Sequence, residues 1–466
     1  MHYALRTTHF PTMNQTLFYI PEKLFGIPVF GFGLLLFIWL IITGISMILD
    51  YRKSGLKSVW SFLIVMGFGA AAIVWVLPNI VKPAGLPIQS YGAMMLLGIV
   101  SGLLLGVYRA KKYGYSPDLI ISMVLWMCIL GIIGARVFFC IEYWSVMKSD
   151  TWAETIRKCL NFTEGGLVVY GSLFGGLLGI VCFILTTPNP NEETEKKKRL
   201  SIWRMLDIIA PSMVLGLALG RIGCFLNGCC FGGVCDVDKY PWAVTFPAGS
   251  PPFMAQVEQG LISLDNQPLQ GLTLEKVYFP EKHWRIVVKS VEKNSAAEKA
   301  GMKPNDVLLK INDFPIVNKE NYKDGDAQLG IAYYCLTAGA RTEGTVTVQT
   351  ENNPSISWKY DSSHELRSLP VHPTQLYSSL NALLLLVILL IFDRFQHWEG
   401  ATFLLLVTLY PITRWILEAI RIDESGAFGT SMSISQLVSL IMLPIVCLLW
   451  GYLWFSNRGK AATPTN

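Results

Sequence analysis

The sequence is poor in charged residues. Asp, Glu, Lys and Arg make up only 15% of its 466 residues, whereas about a quarter of the residues are charged in a typical soluble domain. Residues Met1 to Lys23 are mainly polar and aromatic, and they lack the basic and then apolar order of a cleavable signal peptide. The composition excludes an ordinary soluble protein, and we expect an uncleaved hydrophobic segment to target the chain.

Hydrophobic residues make up 52% of the chain, and they are concentrated in long runs. A run of about 20 residues is enough for a helix to cross roughly 30 Å of hydrocarbon. We predict an all-α polytopic membrane protein with nine transmembrane helices, the seventh giving the weakest signal, at 30–49, 60–79, 91–110, 118–140, 167–187, 205–226, 376–393, 400–420 and 433–456.

Basic residues occur in alternate short loops. Such loops stay in the cytoplasm, so we place the C-terminus and the loops after the first, third and fifth spans there. With nine spans, the N-terminus lies outside. The net charge of +5 follows from these loops. We expect the lipid bilayer as a partner and no nucleic acid. The basic residues of the loops and the C-terminus are Arg52, Lys53, Lys57, Arg109, Lys111, Lys112, Lys196, Lys197, Lys198, Arg199, Arg458 and Lys460.

Roughly 150 residues separate the sixth and seventh spans, and the topology places them outside the membrane. The first part, about 232–280, is rich in Gly, Pro and aromatic residues and predicts an arm at the bilayer interface. Further on, two predicted strands, Ile286–Val288 and Val307–Ile311, flank a helical stretch, Ser295–Gly301. This order resembles a PDZ domain, in which a peptide adds a strand to a sheet edge. A clear carboxylate-binding loop is missing, so a peptide or protein partner and a purely structural role both stay open.

Charged residues also occur near the outer ends of three predicted spans. Charge within a bilayer is costly and marks a functional site or a buried ion pair. Tyr410, Arg414, Glu418 and Arg421 are spaced by four, four and three residues, so they share one helix face. For Arg421 alone, snorkelling to the interface is an equally good interpretation. The charged residues are Arg136 in the fourth span, Arg221 in the sixth, and Arg414, Glu418 and Arg421 in the eighth.

The sixth span ends in a glycine-rich run, Gly220-Arg221-Ile222-Gly223-Cys224-Phe225-Leu226-Asn227-Gly228. Its glycines permit a close helix approach or a broken helix, and its arginine offers a planar fork of donors to a phosphate. The run resembles the Gly-Arg-x-Gly-x-Phe-x-x-Gly signature of the prolipoprotein diacylglyceryl transferases. Further motifs agree in order: Tyr91-Gly92, Gly134-Ala135-Arg136, Glu164-Gly165-Gly166-Leu167 before Tyr170-Gly171, His372-Pro373-Thr374-Gln375-Leu376-Tyr377, and Arg414-x-x-x-Glu418-x-x-Arg421.

The resemblance covers about residues 86–250 and 370–456. It implies transfer of a diacylglyceryl group from phosphatidylglycerol to the lipobox cysteine of prolipoprotein signal peptides in the bacterial cytoplasmic (inner) membrane, without a cofactor or a metal. It also implies that Arg221 and Arg414 hold the lipid headgroup. Further lipid-binding residues are then Arg136, Asn227, Tyr410 and Arg421, and the candidate catalytic residues are Tyr91, Tyr170, His372 and Glu418.

The resemblance leaves the general base open. The family often has a histidine where this chain has Tyr170. Tyrosine has a reference pKa of about 10, so it orients a thiol or donates a hydrogen bond more readily than it removes a proton at neutral pH. His372, near the outer face at the start of a span, is the second candidate.

The family core accounts for two separate parts of the chain. We therefore predict a seven-helix core, two additional N-terminal helices and a small β/α extracytoplasmic insert. The predicted segments are an N-terminal transmembrane pair (1–85), the first core part (86–231), the arm (232–282), the PDZ-like domain (283–350), a linker (351–369), the second core part (370–457) and a cytoplasmic tail (458–466).

Four cysteines lie in or near the signature run: Cys224, Cys229, Cys230 and Cys235. Clustered thiols bind zinc or form disulfides outside the cytoplasm. Their spacing lacks the usual Cys-x-x-Cys pair, so packing of small residues is the preferred interpretation. A disulfide and a metal site stay as alternatives.

Two other classes of function are alternatives, an intramembrane protease and a non-catalytic membrane scaffold with a PDZ domain. A zinc intramembrane protease needs His-Glu-x-x-His on a membrane helix, but His364-Glu365 has no second histidine and lies in a polar segment. A serine protease at Gly171-Ser172 would need a histidine base in the middle of a span, and all six histidines lie elsewhere. A non-catalytic scaffold would leave the clustered arginines unexplained.

Overall fold

The computed structural model describes residues 16–54, 63, 66–81, 85–149, 151–161, 168–187, 200–248, 250–264, 267–279, 283–312, 314–316, 325–339, 344–361, 366–396, 398–421 and 432–457. The α-helices in these ranges are α1 Leu34–Ser54, α2 Leu77–Ile80, α3 Ser90–Lys112, α4 Pro117–Glu142, α5 Trp144–Met147, α6 Trp152–Leu160, α7 Val169–Thr186, α8 Ile202–Asn227, α9 Pro251–Glu258, α10 Ala296–Lys299, α11 Gly325–Tyr334, α12 Thr374–Phe392, α13 Ala401–Glu418 and α14 Ile434–Asn457. The strands are β1 Thr16–Ile20, β2 Lys23–Leu24, β3 Ile27–Pro28, β4 Leu86–Gln89, β5 Pro268–Leu269, β6 Leu272–Phe279, β7 His283–Val291, β8 Leu308–Ile311, β9 Phe314–Pro315, β10 Thr345–Thr350 and β11 Ile356–Lys359.

Six of the described helices are long and apolar enough to cross a membrane. They match the predicted spans three, four, six, seven, eight and nine, so a polytopic helical membrane protein is confirmed. At the predicted spans one, two and five, the apolar helical stretches whose side chains are described are shorter than 18 residues: Leu34–Ile48 within α1, Met66–Val76, and Gly171–Thr186 within α7. The total of nine spans stays a prediction. The six long helices are Ser90–Lys112, Pro117–Glu142, Ile202–Asn227, Thr374–Phe392, Ala401–Glu418 and Ser435–Ser456.

The chain divides into two compact units. One unit contains Met94–Ile222 and Thr374–Asn466, and the other contains Met1–Ala93 and Gly223–Pro373. The first unit is built mainly of transmembrane helices, and the second contains most of the β-structure.

Glycines allow α4 and α7 to pack closely in the helical unit. A Cβ atom added to Gly134 would collide with the backbone of Gly171, and one added to Gly175 would collide with the backbone of Leu130. Small residues four apart are typical of such contacts, because lipid offers no hydrophobic drive for helices to associate. The glycines at these positions are therefore explained by helix packing.

A buried ion pair joins the ends of α3 and α12. Arg109 donates to both carboxylate oxygens of Asp393, at 2.9 and 3.1 Å, and the Tyr113 hydroxyl donates to the same carboxylate at 2.6 Å. Burial and the hydrogen bond to Asp393 raise the pKa of Tyr113 to about 12. Burial alone would raise the pKa of Asp393, but the hydrogen bonds from Arg109 and Tyr113 hold it below its usual value.

A second buried carboxylate fixes the start of α13. Asp207 on α8 accepts hydrogen bonds from the backbone N–H groups of Gly400, at 2.6 Å, and Phe403, at 2.9 Å. Backbone N–H groups at the start of a helix have no partner within the helix, and a carboxylate there also suits the helix dipole. This contact sets the position of α13, which carries the predicted arginine stripe.

The predicted strand, helix and strand of the insert are present in the second unit as β7, α10 and β8. Ser295 caps α10 by accepting from the Glu298 N–H, and the Glu298 carboxylate accepts from the Asn294 N–H. The first contact is the N-cap half of a capping box, while the second reaches the residue before the N-cap. Gly301, with φ of +103°, follows the end of the helix.

The insert forms a β-rich core. Its strands lie in two sheets, with the orders β11-β10-β8-β9 and β5-β6-β7, and α11 packs on β6 and β7. The buried core includes Phe253 and Leu264 before the predicted 283–350 segment and Trp358 after it. The hydrophobic core therefore extends into the predicted arm and linker.

Candidate active site

One cavity of the helical unit contains three of the predicted site residues. Arg221, in the last turns of α8, lines it together with Tyr410 and Arg414 of α13. The other lining residues are Leu217, Ser378, Asn381 and Leu417. Two guanidinium groups and a phenol thus face a small space that also has apolar walls.

The predicted stripe on α13 is an ion-pair network. Arg414 Nη2 lies 2.6 Å from Glu418 Oε2, and Arg421 Nη1 lies 3.3 Å from the same oxygen. The Arg414 and Glu418 side chains are only 10% and 3% exposed. Arg414 also donates to Ser435 Oγ on α14 at 3.0 Å. The carboxylate thus orients both guanidinium groups in a low-dielectric environment, where electrostatic interactions are strong.

The cavity and its flank carry an excess of positive charge. Arg221, Arg414 and Arg421 contribute three positive charges and Glu418 contributes one negative charge, a net of +2. Arginine binds phosphate with two parallel N–H donors, which adds geometric specificity to the charge. The arrangement suits an anionic headgroup with an apolar body.

Similarity to known proteins bears on this arrangement. The family model described as prolipoprotein diacylglyceryl transferase matches residues 78–452 of the chain. The chain belongs to this family. It is 31% identical over 463 aligned positions to the phosphatidylglycerol–prolipoprotein diacylglyceryl transferase of Rhodopirellula baltica, in a match that covers 93% of this chain and 87% of that protein.

Two other relatives of the same name match shorter parts. The protein of Clostridium tetani is 36% identical over 169 residues, which cover 36% of this chain and 60% of that protein. The protein of Trichormus variabilis is 29% identical over 182 residues, covering 39% of this chain and 58% of that protein. The match to the Rhodopirellula protein is longer, and at 93% of the chain it must include most of the insert.

Two polar residues that line the cavity, Ser378 and Asn381, were not predicted from the sequence. Ser378 and Asn381 come from α12, and Asn381 donates to Thr413 Oγ1 at 3.0 Å. The sequence feature that could have identified them is their polar side chains near the start of α12, an otherwise apolar span. Ser435, which binds Arg414, lies at the start of α14 and shares no local motif with it.

Arg136 makes different contacts from the arginines of the cavity. Its guanidinium donates to the carbonyl oxygens of Lys158, Cys159 and Asn161 at 2.7, 2.8 and 2.6 Å. These carbonyls lie at the C-terminal end of α6, where backbone acceptors lack partners within the helix. The contacts favour a structural role, and the predicted lipid contact of Arg136 stays a prediction.

The remaining predicted residues are not among those that line the cavity. Tyr91, Asn227 and His372 belong to the second compact unit. The His372 ring packs edge-on against Tyr240 with 4.6 Å between the ring centroids, and burial lowers the pKa of His372. It is therefore more often neutral near pH 7, as a general base must be. The side chain of Tyr170 lies outside the described part of the chain, as do Glu164–Leu167 and His364-Glu365.

Three of the four clustered cysteines come together at the end of α8. Among the described residues, the Sγ atoms of Cys224, Cys229 and Cys230 all lie within 4.8 Å of one another. Cys235 is not part of this group. None of the ten cysteines forms a disulfide in this structure, which differs from the disulfide alternative.

Proposed function

We propose that this chain transfers the diacylglyceryl group of phosphatidylglycerol to the lipobox cysteine thiol of prolipoproteins. The observation that carries the proposal is the cavity lined by Arg221, Arg414 and Tyr410, in a chain that belongs to the family. The names of its relatives state the same donor and acceptor.

The reaction is the alkylation of a thiolate. The sulfur electron pair forms a bond to the glyceryl carbon next to the phosphate, and the carbon–oxygen bond breaks with its electrons going to the phosphate. The products are a thioether and glycerol phosphate. Because the phosphate gains negative charge as this bond breaks, guanidinium groups at the phosphate stabilise the transition state more than the ground state.

Each pocket residue has a proposed part in this step. Arg221 and Arg414 bind the phosphate, and Tyr410 donates a hydrogen bond to the headgroup. Glu418 holds Arg414 and Arg421 in place through its Oε2. Its other oxygen, Oε1, is buried and has no hydrogen-bond partner within the described ranges, so it is available to a hydroxyl of the lipid headgroup.

The roles of the residues in the second unit follow from the family resemblance. By that resemblance, Tyr91 and Asn227 bind polar groups of the substrates. His372 and Tyr170 are the candidates for removing or orienting the thiol proton. His372 is the better candidate for removing the proton, because an imidazole is largely neutral near pH 7 whereas a phenol, with a reference pKa of about 10, keeps its own proton.

The finer topology is also part of the proposal. We place seven helices in the family core, two helices before it and the PDZ-like insert outside the bacterial inner membrane, with the N-terminus outside and the C-terminus in the cytoplasm. The alternating basic loops support this orientation. In the insert, the order of β7, α10 and β8 supports the PDZ-like assignment.

Mass spectrometry of an acceptor peptide tests the transfer. Purified protein in phosphatidylglycerol vesicles is expected to add one diacylglyceryl group to a lipobox peptide that contains cysteine. A matched peptide with serine in that position, and vesicles of phosphatidylethanolamine, are the controls and are expected to give no product. An unmodified cysteine peptide, with an active family member working in parallel, would contradict the proposed function.

A further inference from the structure

Two thiols meet where the last turns of α4 pack against the end of α6. The thiols of Cys140, on α4, and Cys159, on α6, form a hydrogen bond with each other. Both side chains are partly exposed, and both residues belong to the helical unit. Neither cysteine lines the arginine cavity or belongs to a motif of the family resemblance, so the proposed transfer does not account for the pair.

Hydrogen bonds from Arg136 hold the backbone of Cys159 in this place. The Arg136 guanidinium is buried and donates to the carbonyl oxygen of Cys159 at 2.8 Å and to those of Lys158 and Asn161 at 2.7 and 2.6 Å. Arg136 and Cys140 are four residues apart on α4, so they lie on the same face of the helix. The face that binds the end of α6 therefore also presents the Cys140 thiol to Cys159.

We propose that Cys140 and Cys159 form a disulfide bond that ties α6 to α4 on the outer side of the membrane. This bond goes beyond the transfer reaction, and its place outside the cytoplasm rests on the proposed topology. Both residues are thiols in this structure. Two sulfur atoms that are already in contact reach the bond length of about 2.05 Å by a short approach.

The charge pattern places this pair in an oxidising compartment. The last turn of α3 contains Arg109, Lys111 and Lys112, and short loops with such residues stay in the cytoplasm. From that side, α4 has 26 residues, which is enough to cross roughly 30 Å of hydrocarbon. Its C-terminal end, with Cys140, then lies outside the cytoplasm, where disulfides form and persist.

The oxidation is a thiol–disulfide exchange. The oxidant is another disulfide, carried by an extracytoplasmic oxidoreductase or by a small molecule. One thiolate attacks it and forms a mixed disulfide, and the second thiolate displaces that sulfur. The sulfurs of Cys140 and Cys159 together lose two electrons and two protons, and the oxidant gains both and becomes two thiols.

The bond would restrain a segment that leads to the family motifs. It closes a loop of about 20 residues, a size for which cross-linking lowers the entropy of the unfolded chain substantially. In the sequence, Glu164–Leu167 and Tyr170 follow α6 directly. The disulfide thus fixes the start of the segment that carries these residues, together with Arg136.

Peptide mapping of the full chain tests the bond. Cells that produce the protein are treated with a maleimide before lysis, so that free thiols are blocked, and the purified protein is digested with trypsin without reduction. Because trypsin cuts at Lys148 and Lys158, between the two cysteines, we expect a linked peptide pair that is lighter than the two thiol peptides by two hydrogen atoms. A reductant is expected to separate the pair.

A matched variant makes the mapping specific. Cys128→Ser removes another cysteine of α4 and is expected to keep the linked pair, whereas Cys140→Ser is expected to leave Cys159 carrying the maleimide. Maleimide on both Cys140 and Cys159 in the parent, or a bond from either one to a different cysteine, would overturn the proposal.

Thermal unfolding in detergent tests the restraint. Reductant is expected to lower the unfolding midpoint of the oxidised parent by roughly 5–10 °C, the shift that corresponds to opening a loop of this size. The double variant Cys140→Ser/Cys159→Ser lacks the bond, so reductant is expected to leave its midpoint unchanged. Equal midpoints of the parent with and without reductant would overturn the claim that the bond ties α6 to α4.

Two measurements separate this inference from the topology and from the proposed function. In Cys159→Ser, the Cys140 thiol is expected to react with a membrane-impermeant maleimide from outside intact spheroplasts. Reaction only after permeabilisation would overturn the topology and, with it, the disulfide. Transfer to the lipobox peptide by a parent in which both cysteines are thiols would overturn the disulfide alone, and a linked pair in a protein without transfer would overturn the proposed function alone.

Discussion

Arg414→Ala is expected to lower the rate of transfer at least about 100-fold, in the range found when one oxyanion-stabilising donor is removed. Arg414 lines the cavity, and its guanidinium is held by Glu418 at 2.6 Å and Ser435 at 3.0 Å. Loss of the side chain removes a preorganised charge at the leaving phosphate. The rate falls more than the apparent affinity for lipid, because the charge on phosphate develops in the transition state.

Two variants make this result specific. Arg414→Lys keeps the charge but loses the planar fork, so we expect an intermediate rate. Arg204→Ala removes an arginine from a partly exposed ion pair with Glu399 and is expected to transfer at the parent rate. Initial rates are measured over a range of phosphatidylglycerol contents. An Arg414→Ala rate within threefold of the parent would show that Arg414 does not stabilise the leaving group.

Asp393→Ala is expected to destabilise the helical unit by about 3–5 kcal/mol, the usual cost of removing one partner of a buried ion pair. The carboxylate accepts from Arg109 and Tyr113, and its side chain is 1% exposed while that of Arg109 is 3% exposed. Without it, the Arg109 charge stays buried with its main partner missing. The midpoint of thermal unfolding in detergent measures the effect.

The exposed pair of Arg204 and Glu399 supplies the matched control. Glu399→Ala is expected to cost no more than about 1 kcal/mol, since solvent screens exposed ion pairs. The two variants remove one carboxylate each from the same unit and differ in burial. Equal midpoints for Asp393→Ala and Glu399→Ala would contradict the account.

The pH dependence of unfolding adds a check on Asp393. Because its folded-state pKa is held below the usual 3.8, its contribution is present at neutral pH and is lost as the pH falls below that value. The parent therefore loses more stability in acid than Asp393→Asn does. The raised pKa of Tyr113 affects the stability at high pH. The contribution of Tyr113 to stability is present below about pH 10 and is lost as the pH rises towards about 12.

The features of the fold that depend on a local sequence pattern could be predicted from the sequence. Apolar runs identified the six long spans, and the spacing of Tyr410, Arg414, Glu418 and Arg421 identified their shared face. The strand, helix and strand of the insert followed from its turn residues and cap. These features are set by hydrophobicity, helix periodicity and capping, which act over a few residues.

Contacts between distant segments were beyond this kind of prediction. Arg109 and Asp393 are 284 residues apart, and their pairing depends on how α3 and α12 pack. Ser435 meets Arg414 from another helix for the same reason. The spacing of Cys224, Cys229 and Cys230 gave no familiar metal motif, because a turn with left-handed φ angles brings their sulfurs together.

The most direct test of the account is the release of labelled glycerol phosphate from phosphatidylglycerol by the parent protein and by Arg221→Ala in vesicles. The account predicts that the parent releases one glycerol phosphate for each thioether formed, only when the cysteine peptide is present, and that Arg221→Ala releases almost none. Release without the peptide, or equal release by Arg221→Ala, would contradict the claim that the arginine cavity holds the phosphate of the leaving group during transfer to a thiol.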